Sequence, residues 1–421
     1  MHGVGFRVAR QLALTASISI MAASSAWAET AAPGITDTEI KIGGICPSTG
    51  PIASFVTICA MQEAYFKSVN AEGGVLMGDG KRRKIAYTYY DDGYSPPRTV
   101  EQAHRLVERD QVALVIGPLG SATGLAIRDY LNKRGVPQLF VGSGLSAFST
   151  DQEKYPWTVG WQPSYTTEGS IYAEFVKSKK ADAKVAVLYQ NDDYGKELLN
   201  AFKSAAAGSG VQVVEAQSYE VTSPTVDSQV SNLAATKADV LLVFAVPKFT
   251  AQTLRKTQDL SWRPMVIVSN ISASKKTVME PAGVEASEGV YSVVSLMDPT
   301  TPNYAASKDM QIYREIGTKF ASTGLNLDDP MTMYGFTQGQ TMVDVLEKAK
   351  APTREAIMES ARHLCGVNVL GVVPGVKVCD DGKQDPFYVE SMQVVRYTKG
   401  NWEPVGAVIN KYEGKTPQIA K

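Results

Sequence analysis

Apolar runs alternate with amphipathic stretches along most of this chain, regularly enough to name elements. Residues 112–116 and 136–141 are rich in Val, Leu, Ile and Phe with no polar alternation, which reads as parallel strands buried on both faces. Gly117, Pro118 and Gly120 stop the first strand. Ser121 or Thr123 can then cap a helix whose apolar face is Leu125, Ile127 and Leu131. The second strand runs into the turn Gly142-Ser143-Gly144. Two strand ends thus point backbone N–H groups and hydroxyls into one crevice, and the carboxyl edge of a parallel sheet is where ligands bind. A helix N-terminus there suits an anion. Taken alone, a Ser-capped helix after a glycine turn is also an ordinary structural device.

The same grammar holds on either side. Residues 35–45 predict a strand, followed by a helix with Met61, Ala64, Tyr65 and Val69 on one face. A strand over 84–90 leads through the turn Asp91-Asp92-Gly93-Tyr94 to a helix carrying Val100, Ala103, Leu106 and Val107. Alternating β and α elements with right-handed crossovers give a doubly wound, mostly parallel sheet. After a connecting strand at 155–160 the alternation restarts and runs to about residue 269, predicting a second α/β lobe. Beyond 291–296 it changes: helices over 303–322, 331–350 and 353–362, then short strands at 376–378, 392–397 and 402–409. Helices with no place in the second sheet return to cover the first, so the chain crosses between lobes more than twice and forms a hinge. The expected division is lobe 1 at 29–157 and 296–375, lobe 2 at 158–295 and 376–412, and a tail at 413–421.

The N-terminus changes the picture of where the chain works. Arg7 and Arg10, an apolar run over 12–23 and Ala26-Trp27-Ala28 have the shape of a secretory signal cleaved after Ala28. No later stretch is apolar enough to span a membrane. At 421 residues the chain is too long for one core, which agrees with two domains. Lys+Arg 42 against Asp+Glu 43 leaves a formal net charge of -1, which argues against nucleic acid as a partner. The four cysteines fall in two sequence-local pairs, Cys46 with Cys59 and Cys365 with Cys379, and export inclines both pairs towards disulfides.

Catalytic chemistry finds little to draw on. Past the leader the histidines are His104 and His363, and no nucleophile elbow, zinc-binding HExxH or C-x-x-C is present. Asp91-Asp92 and Asp192-Asp193 could pair as acid and base or hold a cation, but each lies in a tight turn where Asp is favoured for backbone bonding. What recurs is a strand end, a small-residue turn, and a hydroxyl or aromatic: Ser48-Thr49-Gly50 with Phe55, Ser121-Ala122-Thr123, Ser143-Gly144, Tyr194-Gly195 and Ser269-Asn270. Such groups grip a small polar-headed molecule without transforming it.

These stretches, taken in order, resemble the periplasmic branched-chain amino-acid-type solute-binding proteins of ABC importers. The resemblance is carried by Ile40-Lys-Ile-Gly, Ser48-Thr-Gly-Pro, the Asp91-Asp-Gly-Tyr-Ser-Pro turn, Ile116-Gly-Pro-Leu-Gly-Ser-Ala-Thr, Val136-Pro-Gln-Leu and Tyr189-Gln-Asn-Asp-Asp-Tyr-Gly. It implies the two-lobed type I fold with three crossovers, closing on its ligand, and delivery of a small molecule to a membrane permease. It implies no catalysis, cofactor or metal; the chain is expected to act as a monomer in the periplasm. The family's carboxylate-holding serine falls on Ser121, with Ala122 and Thr123 beside it. The following loop falls on Ser143 and Gly144, the ligand-covering aromatic on Phe55, and the second-lobe tyrosine on Tyr194. Two positions depart. Members that bind α-amino acids usually place an acid in the loop where Asn270 stands here, and Val246-Pro247 replaces an aromatic. The expected ligand is a small carboxylate-bearing solute, an aromatic or branched acid or an amino acid, and both departures favour one without an α-amino group. A sensor of the same fold and a secreted hydrolase are the competing readings; the export signal and the poverty of histidine favour transport.

Overall fold

The computed structural model describes residues 32–382 and 386–419, so the predicted leader lies outside the described residues. The first sheet comprises β1 (Glu39–Ile45), β2 (Val75–Leu76), β3 (Arg82–Tyr90), β4 (Leu114–Ile116), β5 (Gln138–Val141) and β6 (Thr158–Gly160). Its order is β2-β3-β1-β4-β5-β6, parallel except for β2. The second comprises β7 (Lys184–Gln190), β8 (Gln212–Tyr219), β9 (Val240–Phe244), β10 (Met265–Val268), β11 (Tyr291–Val294), β12 (Gln393–Thr398) and β13 (Asn401–Pro404). Its order is β13-β12-β11-β10-β9-β7-β8, with β12 antiparallel to both its neighbours, β11 and β13. Every residue of β4, β5 and β9 is buried, as a strand covered by helices on both faces requires.

Both sheets reverse their winding at an equivalent place, between β1 and β4 in the first and between β7 and β9 in the second. Loops leaving the carboxyl ends on either side of such a reversal diverge and leave a crevice between them. The two sheets are joined by three crossings. The first follows β6 and leads into the Tyr165–Lys179 helix. The second follows β11, where Leu296 pairs antiparallel with Val372. The third precedes β12.

The helices after β11 do return to the first sheet. Pro330–Lys348 packs against Thr57–Ala71, and Gly335 permits the approach: a Cβ there would stand 2.3 Å from the Ile58 carbonyl oxygen. Three expectations need correcting. Residues 376–378 form no strand, because Cys379 is bridged to Cys365 and its N–H donates to Tyr388 O at 2.9 Å, away from any sheet edge. Residues 376–382 and 386–389 pack with the first lobe. Asp380 N–H donates to Leu364 O at 2.9 Å, and the Tyr388 ring meets Phe140 edge-on at 5.4 Å. The strand expected over 402–409 ends at Pro404; Val405 N–H donates once more, to Val394 O at 2.8 Å, and Ile409 rejoins Met392 as an isolated bridge.

Candidate functional site

One cleft gathers loops from the carboxyl edges of both sheets. From the first come Ile52 and Phe55 after β1, Tyr94 after β3, Leu119, Gly120 and Ser121 after β4, and Gly142 after β5. From the second come Tyr194 after β7, Val246 after β9, and Asn270 and Ile271 after β10. Two crossings supply Trp161, Gln162 and Pro163, and Val294 through Leu296 with Asp298. Pro330, Met331 and Tyr334 of the returning helix close the wall. The space between these walls, open mouth included, is about 880 Å³.

Gly120 fixes the geometry at the first sheet's edge. It stands immediately before the Ser121–Lys133 helix at φ 102°, a left-handed conformation, and a Cβ there would lie 2.4 Å from the Tyr94 ring. Ser121 is therefore the first residue of the helix, and neither it nor Thr123 caps it as expected. Its hydroxyl shares a 2.8 Å bond with Ser143, whose oxygen also accepts from Leu145 N–H at 3.1 Å. Thr123 turns its hydroxyl back onto the carbonyls of Leu119 and Gly120. The leading N–H groups of the helix have no intrahelical acceptor and carry the positive end of its dipole towards the cleft.

Of the eight residues expected to hold ligand, Phe55, Ser121, Tyr194 and Asn270 line the cleft. Ala122, Thr123, Ser143 and Gly144 do not. Ser143 braces Ser121 from behind, and Gly144 packs its bare backbone against the Pro163 carbonyl and the Tyr165 ring. The disulfides Cys46–Cys59 and Cys365–Cys379 are formed, the first tying the end of β1 to the Thr57–Ala71 helix beside Phe55. Asp91 and Asp192 organise turns: Asp91 accepts from the N–H groups of Ser48, Thr49 and Gly93, and Asp192 caps the Asp193–Ala206 helix. Among the described residues no cluster suits a metal ion.

Six aromatic side chains, Phe55, Tyr94, Trp161, Tyr165, Tyr194 and Tyr334, stand in the lining, and several of their polar ends are already engaged. Tyr194 shares a 2.5 Å bond with the Ser269 hydroxyl, and Tyr165 leans against Tyr194 with ring centroids 5.1 Å apart. Trp161 Nε1 donates to Thr341 Oγ1 at 3.0 Å and meets Tyr334 edge-on at 5.4 Å. Tyr94 OH accepts from Gln190 Nε2 at 3.4 Å, a contact across the cleft. Burial pushes the phenols of Tyr94, Tyr165 and Tyr194 far up, so all stay neutral donors.

Two acids escaped the reading of the sequence. Glu168, fully buried behind Asn270, accepts from Asn270 N–H and Tyr172 OH, both at 2.9 Å on Oε1. Burial pushes its pKa up to about 7 against those bonds. Asp298 lines the cleft itself, from the second crossing. Its signal was available, since it closely follows the end of a parallel strand. No periodicity could have placed Tyr334 or Met331, whose helix is brought here by the return to the first lobe.

Two α/β lobes, joined by three crossings, thus hold a cleft with six aromatic side chains between their strand ends. The chain belongs to the periplasmic binding protein family, whose pattern matches residues 39–401. It is 27% identical over 205 residues to Leu/Ile/Val-binding protein homolog 3 of Brucella melitensis, spanning 48% of this chain and about half (53%) of that protein. Against the Leu/Ile/Val/Thr-binding protein of Salmonella typhimurium it is 22% identical over 321 residues, 73% of this chain and 86% of the relative. Among solved structures, a fatty acid ABC transporter substrate-binding protein from Thermomonospora curvata superposes with a TM-score of 0.77 at 21% identity, covering 93% of this chain and 97% of that one. A branched-chain amino acid ABC transporter protein from Thermus thermophilus with bound valine also gives 0.77, at 16% identity, covering 89% and 97%. Among the described residues no helix is long and apolar enough to cross a membrane.

Proposed function

We propose that this protein is the periplasmic receptor of an ABC importer, capturing a small carboxylate-bearing solute with an apolar or aromatic body and delivering it to a membrane permease. The observation that carries this reading is the cleft's division into two chemistries. At one edge, Gly120 and Ser121 present a helix N-terminus and a hydroxyl, donors suited to a carboxylate. Around it stand Phe55, Tyr94, Trp161, Tyr165, Tyr194 and Tyr334, an apolar and polarisable surface suited to an aromatic or branched chain. The family's importers and the valine- and fatty-acid-related neighbours agree with a ligand of that form. The protein binds and releases its ligand unchanged.

Thermal denaturation with panels of amino acids, aliphatic acids and aromatic acids tests the proposal. A ligand at ~100 times its Kd stabilises by ~2.7 kcal/mol, several degrees in melting temperature. No shift with any carboxylate, or a shift with neutral sugars instead, would refute it.

A further inference from the structure

Tyr94 stands in the turn after β3 at φ 59°, a left-handed conformation that a bulky side chain adopts only under constraint. The constraint is Asp92, whose buried carboxylate accepts the Tyr94 N–H at 2.9 Å on Oδ1 and the Thr99 hydroxyl at 2.8 Å on Oδ2. The ring so held lies against Gly120, and its hydroxyl reaches Gln190, the last residue of β7 in the opposite lobe. Gln190 is buried and equally fixed: Nε2 also donates to Asp192 Oδ2 at 2.7 Å, and Oε1 accepts from Tyr219 OH at 3.0 Å. Tyr219 in turn accepts the N–H of Val246, a cleft residue, at 3.1 Å. The 3.4 Å contact between Gln190 Nε2 and Tyr94 OH therefore joins two braced parts, one from each lobe. Its position matters as much. In the first sheet β1, β4 and β5 lie between β3 and β6, the strand that enters the first crossing. In the second, β9 and β10 lie between β7 and β11, which enters the second crossing. The contact is remote from those strands, and rotation about a hinge displaces remote atoms most. Glu197 also bonds across the lobes, accepting from Ser146 N–H and Oγ at 3.0 and 2.6 Å, but the Ser146 hydroxyl lies 3.4 Å from that of Thr166, beside the first crossing, where opening moves atoms least.

We infer that Tyr94 is the latch of the closed form: a carboxylate seated at the Gly120–Ser121 helix end packs against its ring, and its hydroxyl bonds Gln190 when the lobes shut. This rests on the carboxylate reading above and deepens it by naming what retains the solute. Tyr94 acts here as a positioning residue, through Gln190 and not through a bond to the solute. A bond made on closing forms after capture, so it slows release and leaves the rate of capture alone. The left-handed turn keeps the ring in place beforehand, so the latch costs little ordering when it closes.

Stopped-flow fluorescence tests this on the wild type, Tyr94→Phe, Gln190→Met and the double variant, with Trp161 in the cleft wall giving the signal. The probes are leucine and 3-phenylpropanoate. Tyr94→Phe keeps the turn and the ring against Gly120 and removes only the hydroxyl. It is expected to raise the dissociation rate of a bound probe at least threefold, the order that one net hydrogen bond supplies, while the association rate stays within twofold. With Gln190→Met already present, the same substitution should change dissociation less than 1.5-fold, because the partner is gone. Unliganded Tyr94→Phe should melt at the wild-type temperature. An unchanged dissociation rate overturns the inference, as does a slower association with dissociation unaltered. An equal effect in both backgrounds would mean that the hydroxyl meets the solute directly, and a lower melting temperature would assign it a structural role; each also overturns it. If Gln190→Met does not fold, Tyr94→Phe alone decides through the split between the two rates. If a probe binds, the carboxylate reading survives and only the latch is at stake; if neither acid binds, both fall.

Discussion

Glu168 offers a test of the structure that needs no ligand. It sits in the first turn of the Tyr165–Lys179 helix, fully buried, with Oε1 accepting from Asn270 N–H and Tyr172 OH and Oε2 lacking any partner. Burial moves its pKa from an ordinary 4.5 to about 7. A group whose pKa is raised by folding stabilises fully below its unfolded value, and that contribution is lost as pH rises through the folded value. The affected window therefore runs from roughly pH 4.5 to somewhat above 7. At 1.36 kcal/mol per pKa unit the full loss is about 3 kcal/mol. Glu168→Gln keeps the Oε1 acceptor, puts a neutral amide where the unpaired oxygen stood, and removes the titration. The variant should match the wild type near pH 5 and exceed it at pH 8 by a large part of that figure. Urea unfolding at a series of pH values, followed by tryptophan fluorescence, reads the difference curve directly. Glu197, which accepts from Ser146 N–H and Oγ and is also raised to about 7 by burial, titrates in both proteins and cancels in the difference. A difference that is flat with pH, or one favouring the wild type at pH 8, would refute the reasoning. Either would mean that Glu168 is stably ionised, with a donor on Oε2.

The remaining expectations are briefer. Ser121→Ala removes one hydroxyl from the carboxylate end of the cleft and should cost roughly 1.5–3 kcal/mol for every carboxylate ligand alike, read by calorimetry. Gly120→Ala forces a Cβ to 2.4 Å from the Tyr94 ring at a left-handed φ, so it should lower stability by about 1–3 kcal/mol and weaken ligand more than Ser121→Ala does. Thiol labelling of the unfolded, unreduced protein should find no free cysteine. Opening Cys46–Cys59, which spans 13 residues, should cost up to about 3 kcal/mol, and full labelling of four thiols would contradict both bridges. Ligand should reduce the radius of gyration in small-angle scattering if the crossings act as a hinge; identical curves with proven binding would mean a rigid, preformed cleft.

The strands and their winding were legible because each is a local pattern. The unbroken apolar runs in β4, β5 and β9 can be satisfied only between layers of helices, and the β/α alternation leaves few topologies. Phe55, Ser121, Tyr194 and Asn270 were legible for a related reason: each lies near a parallel strand's carboxyl end, where a doubly wound sheet opens. Tertiary structure decided what no local signal encodes. Whether Ser121 caps its helix or begins it depends on Gly120 meeting Tyr94 from a distant turn. Whether residues 376–382 and 386–389 join the second lobe depends on a disulfide and on Tyr388 finding Phe140. Tyr334 and Met331 reach the cleft because a helix distant in sequence returns to the first sheet. The acid in the cleft depends on the same kind of fact. Sequence placed a neutral Asn270 there, and only the path of the second crossing set Asp298 in the same space with one oxygen unpaired.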